Sequence, residues 1–294
     1  MADYLILPHE HIFCRYRSSD KPRAVEFVRA QMEKLARHGV TDVVDLTAYT
    51  NPLSYLDFLE SSPVRVHPCV GFYLERYVQK AHRTLPVEGL VNVLERKRKR
   101  LSPTLPPVAI KVAAHSESLS TFERRAFDAA SIFHQRTGLP IITHSPHGFE
   151  QHLDYLLNRG VSEEAIMLSH PEMSIKGRLP ISEKQALESM ARCAERGSYL
   201  CITDLTGIAS KVDAARIRLV SAMVEAGHAR RLVISGDSSW KIHRGRLSVQ
   251  NSARGKDYCL VIEVHEKLRR YGISEDYIRL IVRENPPRFF GLER

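Results

Sequence analysis

No run of about 18 apolar residues occurs in this 294-residue chain, so no membrane-spanning helix is expected. The N-terminus lacks a basic region leading into a long apolar stretch and a small-residue cleavage site, which argues against secretion. Cysteine is sparse. Cys14, Cys69, Cys193, Cys201 and Cys259 are odd in number, scattered and without a Cys-x-x-Cys pair. Neither a disulfide framework nor a zinc ribbon is indicated, and a reducing cytoplasm is the expected location. Low-complexity segments, long linkers and internal repeats are absent, so residues 1–294 read as one domain. Acidic residues are in deficit, 34 against 43 basic ones, which leaves a formal charge of +9. Much of the excess lies in Arg96-Lys97-Arg98-Lys99-Arg100, at the end of a helical pattern. No interleaved aromatics or recognition motif accompany it, so no nucleic-acid partner is expected, and the run reads as a solvated helix end.

Short β-branched runs alternate with longer amphipathic segments to the end of the chain. Strands are expected at Tyr4–His11, Asp42–Thr47, Val64–Gly71, Val108–Ala114, Pro140–His144, Ala165–His170, Ser198–Thr203 and Arg231–Ser235. Helical patterns fall between them, among them Ala24–His38, Thr121–Thr137, Ser182–Arg196 and Ala214–Ala226, and Gly39, Gly138, Gly197 and Gly227 suit left-handed caps. Strands alternating with helices imply βαβ units and a parallel sheet. Eight units in a chain of this length predict an α/β fold, a closed (β/α)8 TIM barrel. No glycine-rich phosphate loop follows the first strand, which lowers the dinucleotide-binding alternative.

In such a barrel the active site lies at the C-terminal ends of the strands. The first strand ends in His9-Glu10-His11, where side chains at i and i+2 share a face and present two imidazoles together, half of a metal site. Lys111 lies inside the apolar fourth strand, His144 closes the fifth, His170 closes the sixth and Asp237 follows the eighth. A lone histidine after a strand is more often solvated than ligating, and a lone aspartate there is usually a helix cap. An ammonium inside a closed barrel is different, because it needs a partner or a function. Six such residues at equivalent strand ends form a candidate metal centre.

The set resembles the phosphotriesterase-like branch of the amidohydrolase superfamily. Further matching segments are Gly71-Phe72-Tyr73, Ile110-Lys111-Val112-Ala113, Thr137-Gly138-Leu139-Pro140, Thr143-His144, Ser169-His170 and Glu284-Asn285-Pro286-Pro287-Arg288-Phe289-Phe290. The resemblance implies two divalent ions per chain, zinc first, with manganese or cobalt as alternatives. His9, His11 and Asp237 would hold the more buried ion, and His144 and His170 the more exposed one. Lys111 would be carboxylated, turning a repelling cation into a bridging carbamate. A nuclease branch with the same His-x-His start carries glutamate in place of this lysine, so Lys111 argues against it. The implied chemistry is attack by a hydroxide shared between the ions, with Asp237 passing the proton to the leaving group.

The sequence departs from phosphotriesterases at their proton relay, where Leu205 and Met173 stand in place of the relay histidine and its partner. Lactone opening needs only Asp237, so a lactonase acting on a sugar lactone or a phosphorylated one is the leading expectation. A phosphotriesterase or another esterase or amidase is the alternative. A binding protein without turnover is disfavoured because all six ligands are kept. Tyr73 matches a tyrosine lining the pocket of lactonase relatives. Lys176 and Arg178 after the sixth strand, with Lys241 and Arg244 in an expected polar loop over residues 238–256, are candidate partners for an anionic small-molecule substrate. Trp240 and His243 would cap the pocket or pack that loop, and His147 is read as a helix-start residue. A homodimer is expected by analogy with similar barrels.

Overall fold

The structure is a computed structural model; it describes residues 5–14, 16, 18–59, 61–101, 105–175, 180–203, 205, 211–243, 246–250 and 261–293. Eight parallel strands follow one another around a sheet in chain order: β1 (Ile6–Glu10), β2 (Asp42–Asp45), β3 (Arg65–Gly71), β4 (Ala109–Ala113), β5 (Ile141–His144), β6 (Ile166–Ser169), β7 (Tyr199–Ile202) and β8 (Leu232–Ile234). Closure of β8 onto β1 uses the residues just past β8. The Asp237 amide donates to the His9 carbonyl (3.1 Å), the His11 amide donates to Ser238 O (2.9 Å), and His11 bridges Ser239 in parallel. The result is a nearly closed (β/α)8 barrel, as expected.

Each expected strand lies within two or three residues of an observed one, and the expected helices are found at Lys21–Arg37, Thr121–Thr137, Glu183–Glu195 and Lys211–Glu225. Ser120 and Ser182 cap two of these helices with reciprocal bonds to Glu123 and Gln185, which fixes where they start. Gly39, Gly138, Gly197 and Gly227 all have positive φ, between 73° and 99°. No helix among the described residues is long and apolar enough to cross a membrane.

Side-chain alternation along the strands divides the core in two. Leu5, Leu7, Val43, Ile110, Val112, Ile141, Leu168, Leu200 and Leu232 face outward against the helices. Ile6, Val44, Ala109, Ile142, Met167, Tyr199, Cys201 and Val233 fill the interior of the barrel, and Phe289 packs on Tyr199 with ring centroids 5.1 Å apart. Lys111 and His144 share the parity of Ala109 and Ile142, so they continue the interior column toward the C-terminal end.

One segment differs from expectation. Residues following β8 are not a loop throughout: β9 (Ser239–His243) and β10 (Arg246–Gln250) form an antiparallel hairpin. The alternation of Trp240 and Ile242 with exposed Lys241 is a period-2 strand signal, which the density of basic residues obscures in sequence. Trp240 is buried, donates Nε1–H to Ile12 O (2.8 Å) and stacks on Tyr16, so it anchors the hairpin to the barrel rather than capping a pocket.

Candidate active site

Strict alternation from the inward Ile6 would turn His9 outward. It does not, because the β1–β2 register shifts between Leu7 and Glu10: three residues on β1 oppose two on β2. This bulge re-aims the end of β1 and carries His9 inward. His9 and His11 both reach one carboxylate, with Nε2 of each at 3.5 and 3.0 Å from Asp237 Oδ1. His170 and Asp237 lie just past the ends of their strands, and among the described residues they are the only non-glycines with positive φ, 71° and 50°. A left-handed residue costs roughly 1–2 kcal/mol, so two of them past the ends of β6 and β8 mark a site that the surrounding contacts must hold in place.

The remaining side chains complete a compact cluster. Donor atoms of His9, His170 and Asp237 lie within 4.8 Å of one another, close enough to take part in metal binding. The ring centroids of His9 and His170 are 4.9 Å apart, and those of His144 and His170 are 4.5 Å apart. Lys111 Nζ is 3.4 Å from His9 Nε2 and fully buried. Gly71 makes that approach feasible: a Cβ on it would meet the Lys111 carbonyl oxygen at 2.0 Å, so any side chain here would push β4 away. All six candidate ligands therefore converge at the C-terminal ends of the strands.

Hydroxyl groups set the direction of three of the four imidazoles, those of His9, His11 and His170. Thr47 donates to Asp45 (3.1 Å), so its oxygen is left to accept from His11 Nδ1 (3.1 Å). Thr203 donates to buried Glu172 (2.7 Å) and in the same way accepts from His170 Nδ1 (2.7 Å). Ser169 pairs with His9 Nδ1 at 3.0 Å. The Thr47 and Thr203 pairings leave Nε2 of His11 and His170 as the unprotonated nitrogen, the form a metal requires, and Lys111 Nζ, a donor 3.4 Å from His9 Nε2, favours the same form there. His170 Nε2 is buried with no hydrogen-bond partner. A buried, unsatisfied imidazole nitrogen is costly, and a cation would relieve it. Burial holds His9, His144 and His170 well below the usual histidine pKa, reinforced by Lys111 for the first two and by His144 for the third. The rings are thus neutral donors. Burial also pushes the Lys111 ammonium down to about 8. The donor set and the orphaned nitrogen fit divalent metal.

Glu10 supplies what the bulge begins. Its buried carboxylate accepts from Ser235 Oγ, Gly236 N and Ser238 N, each at 2.8 Å, and so clamps both sides of the Asp237 turn. Burial pushes this carboxyl up to about 7 against the pull of those donors. Thr47, Ser169, Glu172, Thr203 and Glu10 have no spacing motif of their own. Their only sequence signal is adjacency to a ligand or position at a strand end.

The substrate-side expectations divide. The Tyr73 ring meets His144 edge-on at 5.2 Å. His115, not singled out in the sequence, stacks near-parallel to His144 at 6.4 Å. It lines a cavity of about 1020 Å³ with His147, Glu117, Gln185 and Arg192. His147 precedes the helix Phe149–Leu157, as expected. Lys241 is exposed on the hairpin. Lys176, Arg178 and Arg244 lie outside the described residues. At the position of the missing relay, Leu205 is fully buried and Met173 receives a hydrogen bond from Arg216 (3.5 Å), and neither an alkyl group nor a thioether can carry a proton.

Comparison with known proteins agrees with this geometry. The sequence model of the phosphotriesterase family matches residues 4–290. The phosphotriesterase homology protein of Escherichia coli (strain K12) is 24% identical over 273 residues, spanning 90% of this chain and 88% of that protein. An aryldialkylphosphatase of Saccharolobus solfataricus is 25% identical over 194 residues, spanning 62% of this chain and 57% of that one. Among solved structures, the Escherichia coli phosphotriesterase homology protein complexed with phosphate in its active site superposes with a TM-score of 0.78 at 22% identity, covering 99% of both chains. A mutant of a PTE-like lactonase from Deinococcus radiodurans gives 0.76 at 21% identity, covering 98% of this chain and 95% of that one. The chain belongs to the phosphotriesterase family of metal-dependent hydrolases.

Proposed function

We propose that the chain is a lactonase that hydrolyses the cyclic ester of a small molecule at a two-metal centre. The observation that carries the metal reading is the buried, unsatisfied Nε2 of His170 within a convergent set of neutral imidazoles and one carboxylate. His9, His11 and Asp237 would hold one ion, zinc foremost, and His144 and His170 the second. Lys111 would join the two as its carbamate. That carbamate forms when the neutral amine adds to carbon dioxide and loses a proton, and burial of Nζ favours the neutral amine. Two divalent ions at such a centre polarise a carbonyl or phosphoryl oxygen and lower the pKa of water.

The protein's own residues supply the rest. Asp237 lies within reach of both β1 histidines and is the base that takes the proton of the attacking water. As the ring C–O bond breaks, the same carboxyl returns the proton to the leaving ring oxygen, and the product is a hydroxy acid. Tyr73, edge-on to His144, forms the wall against which the acyl portion packs. Leu205 and Met173 cannot relay a proton outward, which favours a substrate whose leaving group accepts it directly. The alkoxide of a lactone does so.

The test is a hydrolysis screen of lactones, phosphorylated sugar lactones and an aryl phosphotriester, each with zinc, manganese and cobalt. Lactone turnover exceeding phosphotriester turnover is expected. The reverse order would replace the lactonase reading with an aryl phosphotriesterase one. Absence of all turnover in protein carrying about two metal ions per chain would refute both readings.

A further inference from the structure

The basic run at residues 96–100 is not only a solvated helix end. A cavity of about 460 Å³ lies between the segment after β2, the segment after β3 and the helix Val87–Leu101, and Arg96, Lys97 and Arg100 line it. Arg98 and Lys99 do not. No carboxylate lines this cavity among the described residues. The cavity of about 1020 Å³ beside His115 differs, since Glu117, Glu150 and Glu188 line it and Glu150 engages Arg192 through two bonds of 2.7 and 2.9 Å.

The smaller cavity has a fixed cationic floor and an aromatic wall. Lys97 Nζ donates to Ala48 O (3.0 Å) and Gly71 O (2.9 Å), tying the ends of two barrel strands together at a single ammonium. Burial pushes that ammonium down to about 8, and only the Cys69 thiol opposes the shift. A half-buried cation with no carboxylate among the described residues lining its cavity favours an anion brought to it. Tyr49, Tyr73 and Tyr77 pack on one another with centroids 5.2–6.0 Å apart and also line the cavity. Tyr73 reaches His144 as well, so one ring borders both the cavity and the metal centre. The volume lies within the usual range for small-molecule sites.

We propose that this cavity is an anion-binding subsite for a small organic phosphate or carboxylate, with Tyr73 as the wall it shares with the metal centre. Guanidinium groups of Arg96 and Arg100 grip the oxyanion from the solvent side, and Lys97 meets it from beneath. The proposal does not rest on the lactonase reading.

The test is calorimetric titration of the metal-loaded protein with inorganic phosphate, comparing wild type, R96E/R100E and R98E/K99E. The two double variants change net charge equally, and all four positions are exposed, so folding is expected to survive. Phosphate at the metal centre would be common to all three proteins. A second binding class, present in wild type and R98E/K99E and weakened at least tenfold in R96E/R100E, supports the subsite. A single class in wild type, or equal weakening in both variants, overturns it. Kinetics then identify the source of the anion. If R96E/R100E raises KM for a phosphorylated lactone and spares the uncharged one, the substrate's own phosphate fills the cavity. If both KM values hold while the phosphate class is lost, a separate small anion fills it. Neither result of the phosphate titration depends on turnover.

Discussion

Replacing Glu10 by glutamine tests whether the Asp237 turn is held by a clamp outside the ligand set. The substitution keeps the shape of the side chain. The glutamine oxygen can still accept from Ser235 Oγ and Gly236 N, the two groups bonded to Oε1. Its amide nitrogen must then face Ser238 N–H, which is bonded to Oε2. Two donors oppose each other, and one buried amide loses its acceptor at a cost of about 1–3 kcal/mol. The affected turn already holds Asp237 at φ 50°, a conformation costing roughly 1–2 kcal/mol, so nothing intrinsic keeps it in place once the clamp weakens. At 1.36 kcal/mol per tenfold, metal affinity should fall roughly 5- to 150-fold. Metal content measured by mass spectrometry across graded chelator concentrations reads this directly, with circular dichroism to show that the barrel persists. Wild-type metal retention in E10Q would refute the clamp. So would loss of the fold without a prior loss of metal, which would make Glu10 a residue of the core alone.

Barrel architecture was legible because alternation, helix-ending glycines and length all point the same way: Gly39, Gly138, Gly197 and Gly227 occur where the helical periodicity stops. The candidate ligand set was legible because a lysine in an apolar strand has few structural roles and because six such residues recur at equivalent strand ends. Local backbone departures were not legible. The β1 bulge inserts one residue and reverses which residues face inward, and its one mark in the sequence is Pro8, which cannot donate to the ladder. The left-handed His170 and Asp237 carry no glycine to announce them. Asp45 illustrates why the supporting residues escaped notice. Its carboxylate accepts from the amides of Ile12, Phe13 and Thr47 while holding the Thr47 hydroxyl under His11. Those partners come from the segments just past β1 and β2, whose proximity exists only after folding. The hairpin over β9 and β10 was obscured for another reason, since basic residues filled the outward positions of an alternating pattern.

Three further outcomes are expected. Lys111→Ala should lose bound metal and activity, with partial rescue by added short carboxylic acids that replace the bridging carboxylate; unchanged kinetics would rule out the bridging role. Thr203→Val removes the acceptor of His170 Nδ1 and the donor to Glu172, and should lower metal affinity about 10- to 100-fold, with Thr203→Ser restoring it; equal chelator sensitivity in all three proteins would refute that orientation. Asp42→Asn tests the opposite end of the barrel. Burial tends to raise the Asp42 carboxyl, but hydrogen bonds from His67 (2.8 Å) and Arg65 (2.7 and 2.8 Å) outweigh it and hold the group well below the usual carboxylate range. A carboxylate depressed on folding adds stability that is fully present above its unfolded pKa of about 3.9, and loses it as pH falls toward the folded value. Arg65 is 43% exposed, so solvent screening reduces the pair's contribution to about 1–3 kcal/mol. Asp42→Asn should therefore melt below wild type at pH 7, and the two melting curves should converge as pH drops below about 4. Both proteins lose metal in acid through the same histidines, so their difference isolates Asp42. An offset between them that stays constant from pH 7 to pH 3 would show that the pairing with β3 contributes packing and not charge.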